Sequence, residues 1–78
     1  MPSRSPAHAA LGTAIRDLRA AKGLSQERLA LEAQLDRTYV GGIERGERNP
    51  SFTNLLRLAE ALEVRASEML AAAENQSR

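Results

Sequence analysis

Arginine, threonine and glycine are concentrated in residues 35–50, LDRTYVGGIERGERNP, where their types and spacing indicate hydrogen-bonding chemistry rather than catalysis. At about 100° per residue, one broad arc of a helix carries Arg37, Thr38, Gly41, Gly42 and Arg45. An arginine guanidinium donates paired hydrogen bonds to phosphate or guanine, and a threonine offers a hydroxyl and a methyl group. The pattern predicts a helix face that binds another polar surface.

The two adjacent glycines are unexpected within a helix, because each costs about 1 kcal/mol relative to alanine. Apolar Val40 and Ile43 fall on the opposite arc, so the glycines are expected on the exposed side. A helix without side chains there can bring its backbone close to another surface, such as the floor of a groove. The alternative, that Gly41 and Gly42 permit close packing between helices, stays open.

The residues needed for catalysis or metal binding are scarce. The chain has no cysteine and a single histidine, His8, which we expect to be a solvated residue of the N-terminal tail. No nucleophile–base pair, metal-ligand cluster or glycine-rich phosphate loop of known spacing is present. The sequence predicts neither an enzyme nor a protein with a metal, a cofactor or a small-molecule ligand.

Helical periodicity and capping residues predict five short helices and no strand. Ser25 and Asp36 are typical helix N-caps, and Gly23 and Gly46 are typical residues just beyond a helix end. The predicted organisation is a flexible tail at 1–8, a domain at 9–74 and a frayed end at 75–78. The predicted helices cover about 9–22, 25–33, 37–45, 52–62 and 66–74. The wide apolar band of the fourth helix predicts burial on more than one side.

Composition sets the class of protein but only weakly indicates a partner. The 78 residues suffice for one domain with a marginal core, which often gains stability by pairing with a second copy. The net charge is only +1, although ten of the eleven cationic side chains are arginine. No apolar run approaches the about 20 residues of a membrane span, and MPSRSPAHAA lacks the apolar core of a signal peptide. A cytoplasmic protein without membrane contact is expected.

The segment SQERLALEAQLDRTYVGGIERGERNPS resembles the Cro/lambda-repressor-like helix-turn-helix domain of the XRE type. The resemblance covers residues from about 11 to 70 and implies a compact five-helix fold, with the second and third helices as the helix-turn-helix. LSQERLA followed by LDRTYVGGIERGERN is especially similar to controller proteins of restriction–modification systems. Those are homodimers that bind a pseudo-palindromic operator in double-stranded DNA and regulate their own and the endonuclease gene. RNA polymerase would be a further partner if the protein activates transcription.

The resemblance also implies roles for individual residues. Base-reading positions correspond to Arg37, Thr38 and Arg48. Phosphate-binding positions correspond to Ser25, Gln26, Tyr39, Arg45, Asn49 and Ser51. A dimer contact is implied for Leu62, Val64, Met69 and Leu70. A structural ion pair is implied between Arg19 and Glu44, which we treat as scaffold. For Arg45 and Arg48 an ordinary solvated charge is the alternative, and for Tyr39 a wholly buried ring.

One position departs from the pattern, since Gln34 occupies the turn position that is usually glycine. A left-handed backbone there would suit glutamine poorly, so a slightly reshaped turn is expected. Two other functions remain open at this stage. One is an antitoxin or prophage-type repressor of the same fold, and the other is a helical protein-interaction module that does not bind DNA.

Overall fold

The computed structural model describes residues 5–76, and within them the backbone forms five α-helices and no strand. The helices are α1 (Pro6–Ala21), α2 (Gln26–Ala33), α3 (Arg37–Glu44), α4 (Phe52–Leu62) and α5 (Ala66–Gln76). The all-α prediction is confirmed, and α4 has the predicted bounds. No helix in this part of the chain has the length and apolar character to cross a membrane.

The first helix begins earlier than predicted, at Pro6 rather than Ala9. The Ser5 side chain accepts a hydrogen bond from the His8 backbone N–H (3.0 Å), and proline is well suited to the first helical position because it lacks an N–H. His8 therefore lies half-buried in a capped first turn rather than in a tail. Residues 1–4 and 77–78 of the two predicted mobile ends lie outside the described residues.

Side-chain oxygens cap the next three helices at their N-termini. Ser25 accepts from the Arg28 backbone N–H, Asp36 from that of Tyr39, and Ser51 from that of Asn54. The oxygen–nitrogen distances are 3.0, 3.2 and 3.1 Å. Each bond satisfies a donor that has no partner within its own helix. The predicted caps Ser25 and Asp36 are therefore confirmed.

In the core, α3 packs mainly against α1 and α2. Its fully buried large side chains are Ile15, Leu29, Val40, Ile43, Leu58 and Met69. At Gly12 of α1, an added Cβ would lie 2.4 Å from the carbonyl oxygen of Ile43 and 2.5 Å from that of Glu44. Because no side chain fits in that space, α1 rests directly on the last turn of α3. This contact fixes the orientation of α3 relative to the body of the protein.

The turn between α2 and α3 adopts the left-handed conformation at Gln34, with φ 60° and ψ 43°. The Leu35 N–H then donates to the Ala30 carbonyl (2.8 Å), and the Gln34 N–H donates to that of Leu31. These bonds close the end of α2 as a glycine would. The turn thus accommodates glutamine by accepting an unfavourable backbone conformation, which costs about 1 kcal/mol or more.

The apolar band of α4 is not buried on several sides, contrary to the prediction. Leu58, Ala59 and Leu62 face the core, whereas Phe52 is 73% exposed and Leu56 is 43% exposed. The main neighbours of α4 are α2 and α5. They cover the side that carries Leu58 and Leu62 and leave the side with Phe52 and Leu56 exposed. The band therefore leaves an uncovered apolar strip, which we call the α4 outer face (Phe52 and Leu56).

Two of the four residues predicted for a dimer contact do not fit that role. Leu62 and Met69 are buried in the core of a single chain, where they close the junction between α4 and α5. Side chains without accessible surface cannot contact a second copy. Val64 is half-buried and Leu70 is exposed, so both keep surface that a partner could cover.

Candidate nucleic-acid interface

Arg37 and Thr38 lie exposed at the N-terminus of α3, where the Asp36 cap fixes the start of the helix. They border a small polar concavity that extends along α3 and is lined by Gln26, Arg37, Thr38, Gly41 and Arg45. Three of these residues, Arg37, Gly41 and Arg45, follow one another at intervals of four and so stack along one helix face. The structure thus places four of the five residues of the predicted arc on one surface, and Gly42 is the exception.

Gly41 is buried, not exposed as predicted, but the groups that cover it are the ends of flexible side chains. A Cβ at this position would lie 3.1 Å from the Arg45 guanidinium and 3.4 Å from the Gln26 side-chain oxygen. Both side chains arise from positions predicted to bind phosphate. If they move aside, the backbone of α3 at Gly41 becomes the floor of the concavity.

Gly42 is also buried, and its covering is of a different kind. An added Cβ would come within 2.5 Å of Cγ of Arg48, and the backbone N–H groups of Glu47 and Arg48 donate to the Gly42 carbonyl (2.8 and 3.2 Å). The loop after α3 folds back on Gly42, and the Arg48 stem crosses it. The expected exposure of Gly42 is therefore wrong. The alternative of close packing between helices does not hold either, because Gly42 packs against the stem of Arg48 in the loop after α3.

Arg48 and Tyr39 form a joint polar and aromatic group beside α3. The Arg48 guanidinium carbon lies 5.7 Å from the centroid of the Tyr39 ring, within the range of a cation–π contact. The Tyr39 hydroxyl accepts a hydrogen bond from the Asn54 side-chain amide at 3.2 Å. Tyr39 is thus half-buried rather than wholly buried, and Arg48 contacts its ring rather than being an isolated solvated charge.

The expected ion pair between Arg19 and Glu44 is present and anchors the end of α3. Arg19 donates from Nε and Nη2 to the two Glu44 carboxylate oxygens (2.7 and 2.9 Å) and from Nη1 to the Leu24 carbonyl (2.9 Å). This bond to Glu44 raises the pKa of the Arg19 guanidinium, outweighing the effect of its partial burial. Gln26 also donates to Glu44 (2.9 Å), so the network links α1, α2 and α3.

The remaining predicted phosphate contacts are distributed around α3. Ser25 and Ser51 are exposed helix caps. In each cap bond the hydroxyl oxygen accepts, so the hydroxyl can still donate its own proton to another group. Asn49 is exposed in the loop before α4. Arg45 is exposed, and its Nε donates to the Glu47 carboxylate (3.1 Å), so this arginine is paired within the chain.

Sequence reasoning missed two residues that shape this surface. Asn54 was assigned no role, because nothing in the sequence shows that its side chain, in the first turn of α4, reaches Tyr39 on α3. Gly12 carried no signal, since only the three-dimensional contact with α3 shows why a side chain is excluded. Among residues 5–76, no group of three His, Asp or Glu side chains is arranged to hold a metal ion.

Comparison with known proteins identifies similar chains. The family model described as Helix-turn-helix (HTH_3) matches residues 15–69. The control protein C.BamHI of Bacillus amyloliquefaciens is 43% identical over 60 residues, which span 76% of this chain and 74% of that protein. The restriction–modification controller protein C.AhdI from Aeromonas hydrophila has a solved structure that matches with a TM-score of 0.77 at 54% identity, covering 78% of this chain and 92% of that chain.

A second solved controller was determined with DNA. The restriction–modification controller protein C.Esp1396I, as a tetramer in complex with its natural 35-base-pair operator, matches with a TM-score of 0.85 at 33% identity. The match covers 94% of this chain and 96% of that chain. The chain therefore belongs to the XRE-type helix-turn-helix family, a family of DNA-binding transcription regulators rather than enzymes, and it has the lambda-repressor-like fold.

Proposed function

We propose that this protein is a sequence-specific regulator that binds double-stranded DNA as a homodimer and acts as the controller of a restriction–modification system. The observation that carries the proposal is the polar concavity at the start of α3, where Arg37 and Thr38 are exposed on a helix firmly anchored at both ends. Similarity to control proteins along about three-quarters of the chain supports the controller subtype.

In this proposal α3 enters the major groove, and its N-terminal side chains touch base edges. Arg37 donates two hydrogen bonds to guanine, and Thr38 contacts a base through its hydroxyl or methyl group. Arg48 reads a base beside the helix. Movement of the Arg45 and Gln26 side chains to phosphate exposes Gly41, so the α3 backbone approaches the groove floor. Ser25, Tyr39, Asn49 and Ser51 bind further phosphates, which fix the position of the protein on the duplex.

The dimer places two α3 helices about 34 Å apart, one turn of DNA, on a pseudo-palindromic operator. We propose the α4 outer face as the centre of the contact, because Phe52 and Leu56 are large apolar side chains that one chain leaves uncovered. Val64, half-buried just after α4, and Leu70, exposed on α5, are the members of the predicted set that keep surface for this contact. A cytoplasmic location follows from operator binding, and RNA polymerase becomes a partner if the protein activates transcription.

Two measurements test the DNA-binding function. Selection of bound duplexes from a random pool, followed by footprinting, should return one operator with two symmetric half-sites. Binding to that operator should weaken steeply with added salt, because each phosphate contact releases counterions. If no duplex is bound even at low salt, the protein is a helical interaction module without a DNA role. If footprints lack symmetry, the homodimer proposal fails while DNA binding stands.

Arg37→Ala tests the role of α3 directly. We expect this change to cost about 1–3 kcal/mol of binding free energy and to relax the preference at one base pair, because a bidentate contact is lost. Arg16→Ala is a matched control, since Arg16 is also exposed but lies on α1 outside the concavity. Competition with operators changed at single positions measures both effects. An Arg37→Ala protein with the affinity and preference of the wild type contradicts the assignment.

A further inference from the structure

The bond between Asn54 and Tyr39 connects the first turn of α4 to the first turn of α3. The Asn54 side-chain amide nitrogen donates to the Tyr39 hydroxyl oxygen at 3.2 Å. The Asn54 backbone is itself held by the Ser51 cap, so its side chain leaves a fixed turn of α4. Both side chains are half-buried, and the Arg48 guanidinium lies over the Tyr39 ring.

The direction of this bond determines what the tyrosine can do. A tyrosine hydroxyl has one proton to donate and an oxygen that accepts. When the oxygen accepts from Asn54, the proton remains available for a second partner. That partner must be an acceptor, and next to the Arg48 cation an anionic oxygen is favoured.

We propose that Asn54 is a positioning residue that makes the Tyr39 hydroxyl a hydrogen-bond donor to a DNA phosphate. The proposal rests on the DNA-binding function proposed above. Asn54 acts through Tyr39 and contacts no base, so its contribution concerns the backbone of the duplex and carries no sequence information. Arg48 lies beside Tyr39, with its guanidinium over the ring and its stem packed against Gly42.

Asn54→Asp reverses the polarity of the bond at nearly constant shape. An ionised aspartate only accepts hydrogen bonds, so the Tyr39 hydroxyl donates its hydrogen bond to it and has none left to donate to a phosphate. The new charge also repels DNA, and this second effect must be separated from the first. Tyr39→Phe removes the hydroxyl, so in that background Asn54→Asp exerts only the charge effect. The four proteins, wild type, two single variants and the double variant, form a double-mutant cycle.

The experiment measures the affinity of the four proteins for the selected operator and for an unrelated duplex, together with their thermal unfolding. We expect Asn54→Asp to weaken operator binding about tenfold more in the wild-type background than in the Tyr39→Phe background, because a hydrogen bond to a charged group is lost only in the first. The loss should be equal on both duplexes, because phosphate contacts do not read sequence.

Three outcomes overturn the inference, and each is distinct. An equal effect of Asn54→Asp in both backgrounds shows that the hydroxyl is not oriented by Asn54. A loss confined to the operator shows that the change has misplaced α3, which is a purely structural role. A wild-type protein that binds neither duplex overturns the proposed function itself. If the wild type binds and only the cycle fails, the DNA-binding function stands without the Asn54 role.

Discussion

At Gly42 the backbone of α3 is covered by the aliphatic stem of Arg48, and at Gly41 by the ends of Arg45 and Gln26. The two glycines thus serve different purposes, although they are neighbours. Gly42 gives Arg48 a path across the helix toward Tyr39, which holds the guanidinium near the ring. Gly41 lies beneath the Arg45 guanidinium, which is paired with Glu47, and the Gln26 side chain, which is bonded to Glu44. One glycine is therefore covered by a side-chain stem, and the other by side-chain ends.

Gly41→Leu separates groove approach from packing. Because a Cβ at this position meets only flexible side-chain ends, we expect the variant to fold with a thermal midpoint close to that of the wild type. The leucine fills the concavity, so operator affinity should fall by about tenfold or more. Ala21→Leu adds a similar bulk at an exposed position on α1 and should change neither property. An unfolded Gly41→Leu protein means that the glycine serves packing alone.

The residue roles show what a helical wheel can and cannot predict. It placed Arg37, Gly41 and Arg45 on one face, which the concavity lining bears out. It failed for the exposure of Gly42, because the covering side chain comes from a loop residue six positions later. Periodicity describes a helix by itself and contains no information about a returning loop. For the same reason the Tyr39–Asn54 bond, which joins two helices, was missed.

Among the elements, the turn between α2 and α3 carries backbone strain, as does the end of α4 at Glu63 (φ 59°). Gln34 adopts a left-handed conformation (φ 60°), which disfavours a residue with a Cβ. Gln34→Gly should therefore raise the free energy of unfolding by about 0.5–1 kcal/mol, because relief of the strain exceeds the extra flexibility of glycine in the unfolded chain. Chemical denaturation of the purified protein measures this change.

Ala71→Gly is the matched control for Gln34→Gly. Ala71 is exposed within α5, where the backbone is helical, so glycine there should lower stability by about 1 kcal/mol. If the free energy of unfolding rises for Gln34→Gly and falls for Ala71→Gly, the strain at Gln34 is supported. If Gln34→Gly also destabilises the protein, the side chain contributes more than the backbone conformation costs.

The starts of α2, α3 and α4 were predictable because a local cap sets each of them. Ser25, Asp36 and Ser51 begin α2, α3 and α4 through bonds to residues only three positions away, and such short-range chemistry is visible in the sequence. The start of α1 was missed because Ser5 followed by Pro6 resembles a loop as much as a cap. Gly12 could not be recognised, since its neighbours on α3 are about thirty residues away in sequence.

For the whole molecule, the α4 outer face is an apolar surface that a single chain leaves uncovered, as it also leaves Leu31 and Leu70 exposed. Phe52 and Leu56 expose large apolar side chains one helical turn apart, and burying apolar surface against a second copy contributes about 25 cal/mol per Å². The sequence showed the wide apolar band of α4 correctly. It could not show which side remained uncovered, because that depends on where α2 and α5 lie. Leu62 and Met69 were assigned to the interface through the family resemblance, which does not show that this chain buries both in its own core.

Leu56→Glu tests whether this face forms the dimer. Leu56 is exposed in the chain, so we expect the variant to fold normally while its charge prevents burial against a second copy. Sedimentation without DNA should then show a monomer where the wild type is a dimer. Operator affinity should fall by about a hundredfold, because the two half-sites are no longer bound by linked domains. Leu31→Glu is the control, since Leu31 is also exposed but lies on α2, and it should remain dimeric. A dimeric Leu56→Glu protein would place the interface elsewhere, with Leu70 on α5 as the next position to test.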